Sequence, residues 1–556
     1  MTINACSAPI ARVKRKNVWR HWLCHNTCGR PLSDQDIKHF ACGPGYLQLF
    51  LGGSDQLWPE IAKPTPAPAD NGDSEQVQPE HGGDSEALEV SAGDSEQREI
   101  LQAGDGEYFE SKPANTQGQH NAAPVLLGST RMGRRAFVTV DLGFGDSGKG
   151  ATVDWLCRQF GADLVVRYSG GAQAGHNVQL ADGTRHTFAQ FGAGTLAGAR
   201  TYLGPAMIIE PLALAREAVA LQRLLNGKDP YARLIVHPDC LVATPLHKMI
   251  NRFCTLLDEA QYRHGTCGMG IGETRKYWLQ YGSDAIFASD LQSQSTLRRK
   301  LELLRQRYLL ALHERQYSAD SAAQLDLRGI DTATMARQLA QQPLPVSEHP
   351  GGFSNVVFEA AQGVLLDEIY GFHPHTTWSD VTLTPAKHLL ATLMEDYDIS
   401  DVTYLGIIRA YMTRHGNGPL PTYDAQLTAT VQDPGNPVND WQGGMRMGWL
   451  DLPLLRYAVQ CCGAPLDGLV VNHLDQLPEP FFVCERYERG PELPFSLLPR
   501  KRDNWEMSAM LKGASPELRR LTTRQQLLDV VQELAPVWAT ADGPTAQHRQ
   551  RVSAVQ

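Results

Sequence analysis

The stretch from Phe137 to His176 constrains the fold of this chain more than any other, because it contains two strand-to-loop transitions in succession. The apolar run Phe137–Val140 leads through a glycine-rich turn into a helical pattern that begins near Ala151. A second apolar run, Asp163–Tyr168, ends in the glycine-rich sequence Ser169–Asn177. Consecutive strands with glycine-rich loops at their carboxyl ends are typical of open α/β sheets, which bind ligands at that edge.

The first of these turns has the composition of an anion-binding loop. Residues Gly143 to Lys149 fit the pattern G-x-x-x-x-G-K, in which backbone N–H groups and a helix N-terminus face phosphate oxygens. Gly150 stands where this pattern has a magnesium-binding Ser or Thr, so Asp146 is the candidate metal ligand. The Asp146 carboxylate and the His176 imidazole in the next loop are candidates for an acid/base pair beside a bound phosphate.

The acidic charge of the chain is concentrated in one segment. Of the net charge of −10, Pro59 to Glu110 contributes −12, with fourteen acidic and two basic residues, so the remainder is close to neutral. The composition therefore indicates no basic face for nucleic acid. The tetrapeptide Gly-Asp-Ser-Glu recurs at Gly72, Gly83 and Gly93, and such sequence cannot bury enough apolar surface to offset its chain entropy.

These features divide the chain into three parts. Residues 1–58 form a small segment of unknown role, 59–133 an acidic linker that we expect to be disordered, and 134–556 a catalytic domain. The first part holds a cluster of cysteines and histidines whose spacing fits no strong zinc signature, so we favour a docked or partly ordered segment over a metal site: Cys24, His25, Cys28, His39 and Cys42.

The cysteine content and the hydropathy point to one compartment. The eleven cysteines lack a regular paired spacing, which favours reduced thiols. No run reaches the roughly eighteen apolar residues of a membrane span, and the N-terminus lacks the apolar core of a signal peptide. We therefore expect a cytoplasmic protein that has no membrane partner.

From Arg135 onward, strand and helix patterns alternate, which predicts a single large α/β domain with a mainly parallel central sheet. Helices are expected at Leu212–Leu225, Pro245–Gln261 and Leu297–Arg315. The last pattern is rich in charge and predicts a solvated surface helix.

From Ala136 to His548 the ordered motifs resemble those of the adenylosuccinate synthetase family, whose members join IMP and aspartate at the expense of GTP. Gly145–Gly150 matches the family's G-D-E-G-K-G, Gly170–His176 its G-G-H-N-A-G-H, and Gly265–Gly272 its G-T-T-G-R-G-I-G. Further matches follow in chain order: Ala361–Gly363, Thr413–Arg414 with Gly418–Pro419, Gly448–Asp451, and Gly543–Pro544.

The resemblance implies a mechanism for purine (AMP) biosynthesis. Asp146 would take the N1 proton of IMP so that O6 attacks the γ-phosphate, and His176 would stabilise the developing charge. The aspartate amine would then displace phosphate from the 6-phosphoryl purine. Mg²⁺ would lie between Asp146, the carbonyl oxygen of Gly175 and the phosphates of the GTP co-substrate.

The resemblance also implies binding residues and a homodimer. The nucleoside triphosphate would contact Gly145, Ser147, Gly148, Lys149, Gly150, Arg446, His473, Asp475 and Gly543. The purine monophosphate and L-aspartate would contact Gln173, Ala174, Thr266, Cys267, Gln362, Thr377, Gly444 and Arg446, with the aspartate loop spanning Asp440–Arg446.

Several motif positions depart from the family pattern. The clearest departures are Ser147 for Glu, Ala172 for His, Gln173 for Asn, Cys267 for Thr, Met269 and Gly444 for Arg, His473 for Lys, and Tyr281 near the Arg that crosses the family's dimer. Loss of Arg from a carboxylate or phosphate site is not conservative. Two alternatives therefore stay open: the same ligase chemistry on another purine nucleotide or amino acid, and a non-catalytic nucleotide-binding protein.

Limited proteolysis tests the predicted linker. Because 59–133 is acidic and rich in small residues, we expect protease to cut there first and to leave a stable core that begins near Arg135. Mass spectrometry of the digest identifies the new N-terminus. A full-length species that resists digestion would contradict the boundary.

Overall fold

The computed structural model describes residues 133–258, 266–314, 327, 329–431, 433, 436, 443–490 and 501–552. Residues 1–132, and with them the predicted N-terminal segment and nearly all of the predicted linker, lie outside the described residues. So do Gly265 of the third motif and Asp440–Gln442 of the aspartate loop.

The strands are numbered in chain order. They are β1 Arg134–Asp141, β2 Ala162–Arg167, β3 Gly170–Gly171, β4 His176–Gln179, β5 Arg185–Phe188, β6 Arg200–Leu203, β7 Met207–Ile209, β8 Leu234–Val236, β9 Leu241–Val242, β10 Asn355–Glu359, β11 Ile399–Arg409, β12 Met412–His415, β13 Met445–Gly448, β14 Leu450–Asp451, β15 Gly468–Asn472, β16 Phe481–Arg489, β17 Ser515–Leu521, β18 Val537–Ala541 and β19 Arg549–Arg551.

The helices follow the same convention. They are α1 Lys149–Phe160, α2 Pro211–Leu224, α3 Pro245–Asp258, α4 Ile271–Tyr281, α5 Gln294–Glu314, α6 Thr332–Ala340, α7 Thr384–Asp396, α8 Ala425–Thr430, α9 Leu452–Cys461, α10 Lys501–Lys512 and α11 Arg524–Val531.

Nine of the described strands form one sheet in the order β19-β18-β15-β11-β1-β10-β2-β6-β8. Every neighbouring pair in it is parallel except β18 with the edge strand β19. This confirms the predicted α/β class and mainly parallel sheet. The carboxyl ends of β1, β10, β11 and β15 consequently lie side by side, and each leads into a motif that the sequence singled out.

Strand β1 occupies the middle of the sheet because its residues are apolar on both faces. Ala136 pairs with Val356 of β10 on one side and with Val402 of β11 on the other. Val138 packs into the core on one face of the sheet and Phe137 into the core on the opposite face, and both are fully buried. A strand covered on both faces reads as a continuous hydrophobic run, which is why its sequence signal is strong.

The three predicted helices are present, with one difference in character. Helix α2 begins after Glu210, whose carboxylate accepts the backbone N–H groups of Leu212 and Ala213. Helix α5 exposes Arg298 and Arg299, but its Leu297 and Leu301 are fully buried. The predicted surface helix is therefore present, and its apolar positions at helical spacing form a core face.

Packing around the start of α1 explains Gly150. A Cβ atom at this position would lie 2.8 Å from the carbonyl carbon of His176 and 2.9 Å from its Cβ. The first turn of α1 therefore rests directly on β4, and the hydroxyl-bearing residue of other phosphate loops has no room here.

Gly150→Ser tests this close approach. The added atoms must push β4 away from α1, so we expect the free energy of unfolding to fall by about 1 to 3 kcal/mol, as overpacking typically costs. Chemical denaturation measures the change. Gly352→Ser is the matched control, since a Cβ there meets nothing within 4 Å. Equal stability of the two variants would contradict the packing argument.

Candidate active site

The loop between β1 and α1, here called the phosphate loop (Leu142–Gly148), has an unusual backbone. Gly145, Asp146 and Gly148 all have positive φ angles, of 90°, 58° and 88°. Asp is tolerated there less readily than Gly, so Asp146 is held in a sparsely populated conformation by its surroundings. Gly148, the residue before α1, makes no side-chain cap to the helix. These features favour binding of an anion at this end.

One buried carboxylate ties the phosphate loop together. Asp141, the last residue of β1, is fully buried and accepts hydrogen bonds from the backbone N–H groups of Gly143 and Ser147 at 2.8 and 3.2 Å. Its carboxylate also accepts from Ser147 Oγ at 2.8 Å and pairs with Lys149 Nζ at 2.6 Å. The ammonium of Lys149 thus lies against the strand end.

The loop after β10 forms one wall of the phosphate loop. Leu365 donates its backbone N–H to the carbonyl oxygen of Gly143 at 3.1 Å, and a Cβ on Gly363 would lie only 2.1 Å from the same oxygen. Gln362 Oε1 lies 3.2 Å from the position of a Cβ on Gly145. The structure therefore brings the predicted purine-binding Gln362 directly beside the phosphate loop.

The loop after β11 forms the opposite wall and contacts Asp146. Arg409 Nε donates to the carbonyl oxygen of Asp146, and its guanidinium pairs with Asp433 at 2.8 Å. His415 Nε2 lies 3.9 Å from the Asp146 carboxylate, which is 27% exposed. Asp146 therefore has a fixed backbone and a side chain that solvent, and by extension a ligand, can reach.

The predicted triphosphate-base residues follow β15. Asn472 Nδ2 donates to the carbonyl oxygen of Ser147 at 2.8 Å, which connects this strand end to the phosphate loop. His473 has a φ angle of 62°, and burial together with the charge of Arg409 holds its pKa well below the usual range. Asp475, two residues after His473, is exposed. A neutral imidazole thus stands where the family has Lys, beside an accessible carboxylate.

The other predicted nucleotide residue, Gly543, lies in the turn after β18. Its φ angle is 157°, and a Cβ there would lie 2.8 Å from the ring of His548. Strand β18 pairs with β15 in parallel, so this turn follows the strand next to the one that leads to Asp475.

His176 is buried between the first turn of α1 and the loop that carries Gln362. Its Nδ1 makes a short hydrogen bond to Glu359, and its Nε2 lies 3.1 Å from the carbonyl oxygen of Ala361. Burial and the charge of Arg167 lower the pKa of His176, while the Glu359 carboxylate opposes this change. The ring is thus placed by β10, next to the loop that carries Gln362, rather than directed into solvent.

The residues before His176 and the third motif share another neighbourhood. A Cβ on Gly171 would lie 2.7 Å from Gln173 Oε1 and 2.8 Å from Ile271, the first residue of α4. Gln173 Oε1 is buried and has no hydrogen-bond partner among the described residues. Ala174 is buried and Gly175 exposed.

Thr266 and Cys267 lie at the start of the third motif. Thr266 Oγ1 donates to Asn251 at 3.0 Å and accepts the backbone N–H of Gly268 at 3.2 Å, and burial raises the pKa of Cys267. A Cβ on Gly272 would lie 2.8 Å from Trp378, the neighbour of Thr377. The backbone of Thr377 itself donates to the carbonyl oxygen of Leu366 at 2.7 Å.

Two arginines bind the turn that follows β12. Arg446 of β13 donates to the carbonyl oxygens of Gly416 and Gly418. Arg414 donates to the carbonyl oxygen of Pro419 at 2.9 Å, and its guanidinium lies 4.0 Å from the centre of the Phe144 ring. Gly444, the residue before β13, is exposed and adds no side chain. Of the predicted amino-acid pocket, the structure therefore places Arg446.

Sequence reasoning missed four residues at this site: Asp141, Arg409, Asn472 and Arg549, whose guanidinium lies 3.5 Å from Asn472 Oδ1. Each is buried and polar. Three of them are the last residues of parallel strands, a signal that could have identified them, because those ends meet at one edge of the sheet.

Comparison with known proteins agrees with this geometry. The family model for adenylosuccinate synthetase matches residues 138–532. An adenylosuccinate synthetase of Thermoplasma volcanium is 27% identical over 413 residues, or 68% of this chain and 91% of that protein. One of Halobacterium salinarum is 31% identical over 383 residues, or 65% of this chain and 82% of that protein.

A solved structure shows the same fold. The structure of fully ligated adenylosuccinate synthetase from Plasmodium falciparum superposes with a TM-score of 0.60 at 18% identity and covers 75% of this chain and 99% of that one. At this identity the likeness shows the fold alone. The family match extends over most of the chain, and the sequence resemblance is confirmed: the chain belongs to the adenylosuccinate synthetase family, whose members are ligases that join IMP and aspartate with GTP.

Proposed function

We propose that this ligase joins IMP and L-aspartate, with GTP as co-substrate and Mg²⁺ as the metal, through a 6-phosphoryl purine. The observation that supports this most is the position of Asp146, a partly exposed carboxylate in a phosphate loop, between the Gln362 wall and Arg409. A carboxylate, an anion-binding loop and the Gln362 amide thus lie together at one edge of the sheet, and we assign them to the base, the phosphates and the purine.

Asp146 is the proposed general base. Transfer of the N1 proton of IMP to its carboxylate leaves an electron pair on O6, which attacks the γ-phosphorus while GDP leaves. The amine of aspartate then attacks C6, and the former O6 leaves with the phosphate. The fixed backbone of Asp146, bound by Arg409, holds the base in one orientation, and a positioned base contributes roughly a hundredfold or more in rate.

Charge on the transferred phosphoryl group is stabilised by groups of the loop and its neighbours. The amino end of α1 and the Lys149 ammonium supply fixed positive potential. His176 is the proposed stabiliser from the second strand unit, and Glu359 supports its protonated form. These groups need no rearrangement of solvent at the moment of reaction.

The oxygen donors fit Mg²⁺. This cation binds few protein oxygens and completes its shell with water and substrate phosphates. The Asp146 carboxylate and the carbonyl oxygen of Gly175 belong to residues at least partly exposed, and no cluster of three or more His, Cys, Asp or Glu suited to a metal occurs among the described residues. These two groups would hold the metal with the nucleotide, where it neutralises phosphate charge.

Asp475 is the proposed guanine acceptor. An exposed carboxylate after a strand can accept the N1–H and the N2 amino hydrogens of guanine, whereas adenine has no donor at N1. The residues proposed to contact the purine monophosphate are Gln173, Ala174, Thr266, Cys267 and Thr377. Those proposed to contact the aspartate are Arg446 and Gly444. The residues proposed to surround the triphosphate are Gly145, Ser147, Gly148, Gly150, His473 and Gly543.

The homodimer and the cytoplasmic location stay predictions. No helix in the described part of the chain is long and apolar enough to cross a bilayer.

A second candidate is the same chemistry on another purine nucleotide or amino acid. Gly444 favours it, because the structure exposes a bare backbone where the family has an Arg. A pocket that has lost a bidentate Arg binds a carboxylate less tightly and admits other groups.

The buried pair of His176 and Glu359 predicts a pH effect. Glu359→Gln removes the negative charge that opposes burial, so the pKa of His176 falls further. Activity that needs the protonated ring then disappears at lower pH than in the wild type. NMR titration of His176 and the pH dependence of kcat measure the two shifts.

Glu217→Gln is the matched control for this variant. Glu217 is also buried, and it accepts backbone N–H groups of Ala189 and Phe191 without touching His176. If both variants leave the titration of His176 unchanged, the pairing with Glu359 does not set its protonation.

A substrate panel tests the proposed function. Purified protein is given aspartate and Mg²⁺ with IMP, GMP or dGMP, each with GTP or ATP, and the succinylated nucleotide is measured by mass spectrometry. We expect product with IMP, and a preference for GTP of about tenfold or more, since a bound adenine would cover the Asp475 carboxylate without donating to it, and an acceptor left unpaired in this way costs roughly 1 to 3 kcal/mol. Product with GMP or dGMP alone would support the second candidate.

Asp146→Asn is the companion variant. Turnover should fall by about a hundredfold or more, because the amide keeps the shape but not the basicity. Asp182→Asn, on an exposed turn between β4 and β5, is the control. No product from any pair, or a preference for ATP, would contradict the proposal.

A further inference from the structure

The end of β1 carries a buried ion pair between Asp141, which precedes the motif Gly145–Gly150, and Lys149 within that motif. The Asp141 carboxylate and the Lys149 ammonium lie 2.6 Å apart, with 0% and 3% of their side chains exposed. Asp141 accepts three further hydrogen bonds, all from the phosphate loop. Its oxygens therefore contact both ends of the loop and the first residue of α1.

The burial of this carboxylate requires its partners. Removing an unpaired carboxylate from water is so costly that the group normally becomes neutral. Burial does raise the pKa of Asp141, but Lys149 and the hydrogen bonds outweigh it and hold the pKa below its usual range. Asp141 is thus an anion whose stability depends on the loop, and the loop conformation in turn depends on Asp141.

Ser147, which hydrogen-bonds to Asp141, stands where the family motif has a Glu. The family motif G-D-E-G-K-G has a carboxylate directly after the catalytic Asp, and here that position is Ser147. Ser147 Oγ is not directed at a ligand: it donates to Asp141. Position 147 therefore lacks the family's carboxylate, but the Asp141 carboxylate at the end of β1 lies within hydrogen-bond distance of Ser147.

We propose that Asp141 is the positioning residue of the phosphate loop, and that it supplies from the end of β1 the negative charge that the family motif supplies at position 147. Asp141 takes one of the three N–H donors of Lys149, so the ammonium is held at the loop and can still donate to a phosphate. Its bonds to Gly143 and Ser147 fix the residues on either side of Asp146. This inference rests on the proposed use of a triphosphate at this loop.

A double-mutant cycle tests the relocation. Asp141→Asn keeps the shape but leaves Lys149 without an anion, so kcat/KM for GTP should fall by about tenfold or more, within the range of coupled neighbours. Ser147→Glu alone should also lower kcat/KM, because it places a second carboxylate beside Asp141, to which Ser147 Oγ donates at 2.8 Å in the wild type. The double variant again has one carboxylate and one ammonium, and should lie within about threefold of the wild type.

Three further measurements separate positioning from general stability. The cycle is repeated with the KM for GTP, with calorimetric binding of GDP and with the melting temperature. Asp154→Asn, which removes a buried carboxylate of α1 paired with Arg158 instead, is the control and should leave GDP binding unchanged.

The outcomes are distinct. Rescue of kcat/KM and GDP binding by the double variant supports the inference. Two single losses that simply add in the double variant, or an Asp141→Asn protein that binds GDP like the wild type, would overturn it. If the wild type makes no succinylated nucleotide, the proposed function fails, and the GDP arm still decides whether Asp141 positions the loop.

Discussion

The space around the turn after β1 is almost completely filled, and the rest of the site depends on this constraint. Gly363 touches the turn so closely that a single Cβ would overlap the carbonyl oxygen of Gly143. Gly150 rests on the backbone of β4 in the same way. The loop can therefore take one path, and Asp146 is left as the side chain that projects from it toward solvent.

Because the strands are parallel, this path is supported from several directions at once. Glu359 at the end of β10 holds His176, Arg409 at the end of β11 holds the backbone of Asp146, and Asn472 at the end of β15 holds Ser147. Groups hundreds of residues apart thus converge on a few peptide units. Such preorganisation lets a site stabilise developing charge without rearranging during the reaction.

The sequence predicted the parts of this arrangement that are local. The β1 strand, the glycine-rich turn and α1 follow one another in sequence, and their apolar and glycine pattern is unambiguous. Gln362, predicted to contact the purine, lies beside the turn. Arg409 and Asn472 were missed: their positions at strand ends were a signal, but which ends lie beside the turn depends on the order of strands in the sheet. The predicted surface helix is present as α5, and its leucines at helical spacing form the buried face. The N-terminal segment and linker stay predictions.

The departures from the family pattern fall into two kinds. At Ser147 the structure offers a substitute, because the Asp141 carboxylate pairs with Lys149. At Gly444 the backbone is exposed and no side chain replaces the missing Arg. A carboxylate thus pairs with Lys149 despite the change at Ser147, whereas the change at Gly444 has no such substitute.

The central claim is that the purine oxygen O6 becomes phosphorylated before the amine attacks. IMP labelled with ¹⁸O at C6 tests it directly, with the released phosphate analysed by mass spectrometry. If O6 attacks the γ-phosphorus, the label leaves carbon and appears in inorganic phosphate, one atom for each product molecule formed. Unlabelled phosphate formed together with the product would mean that the oxygen leaves by another route, and the role given to Asp146 and the phosphate loop would be wrong.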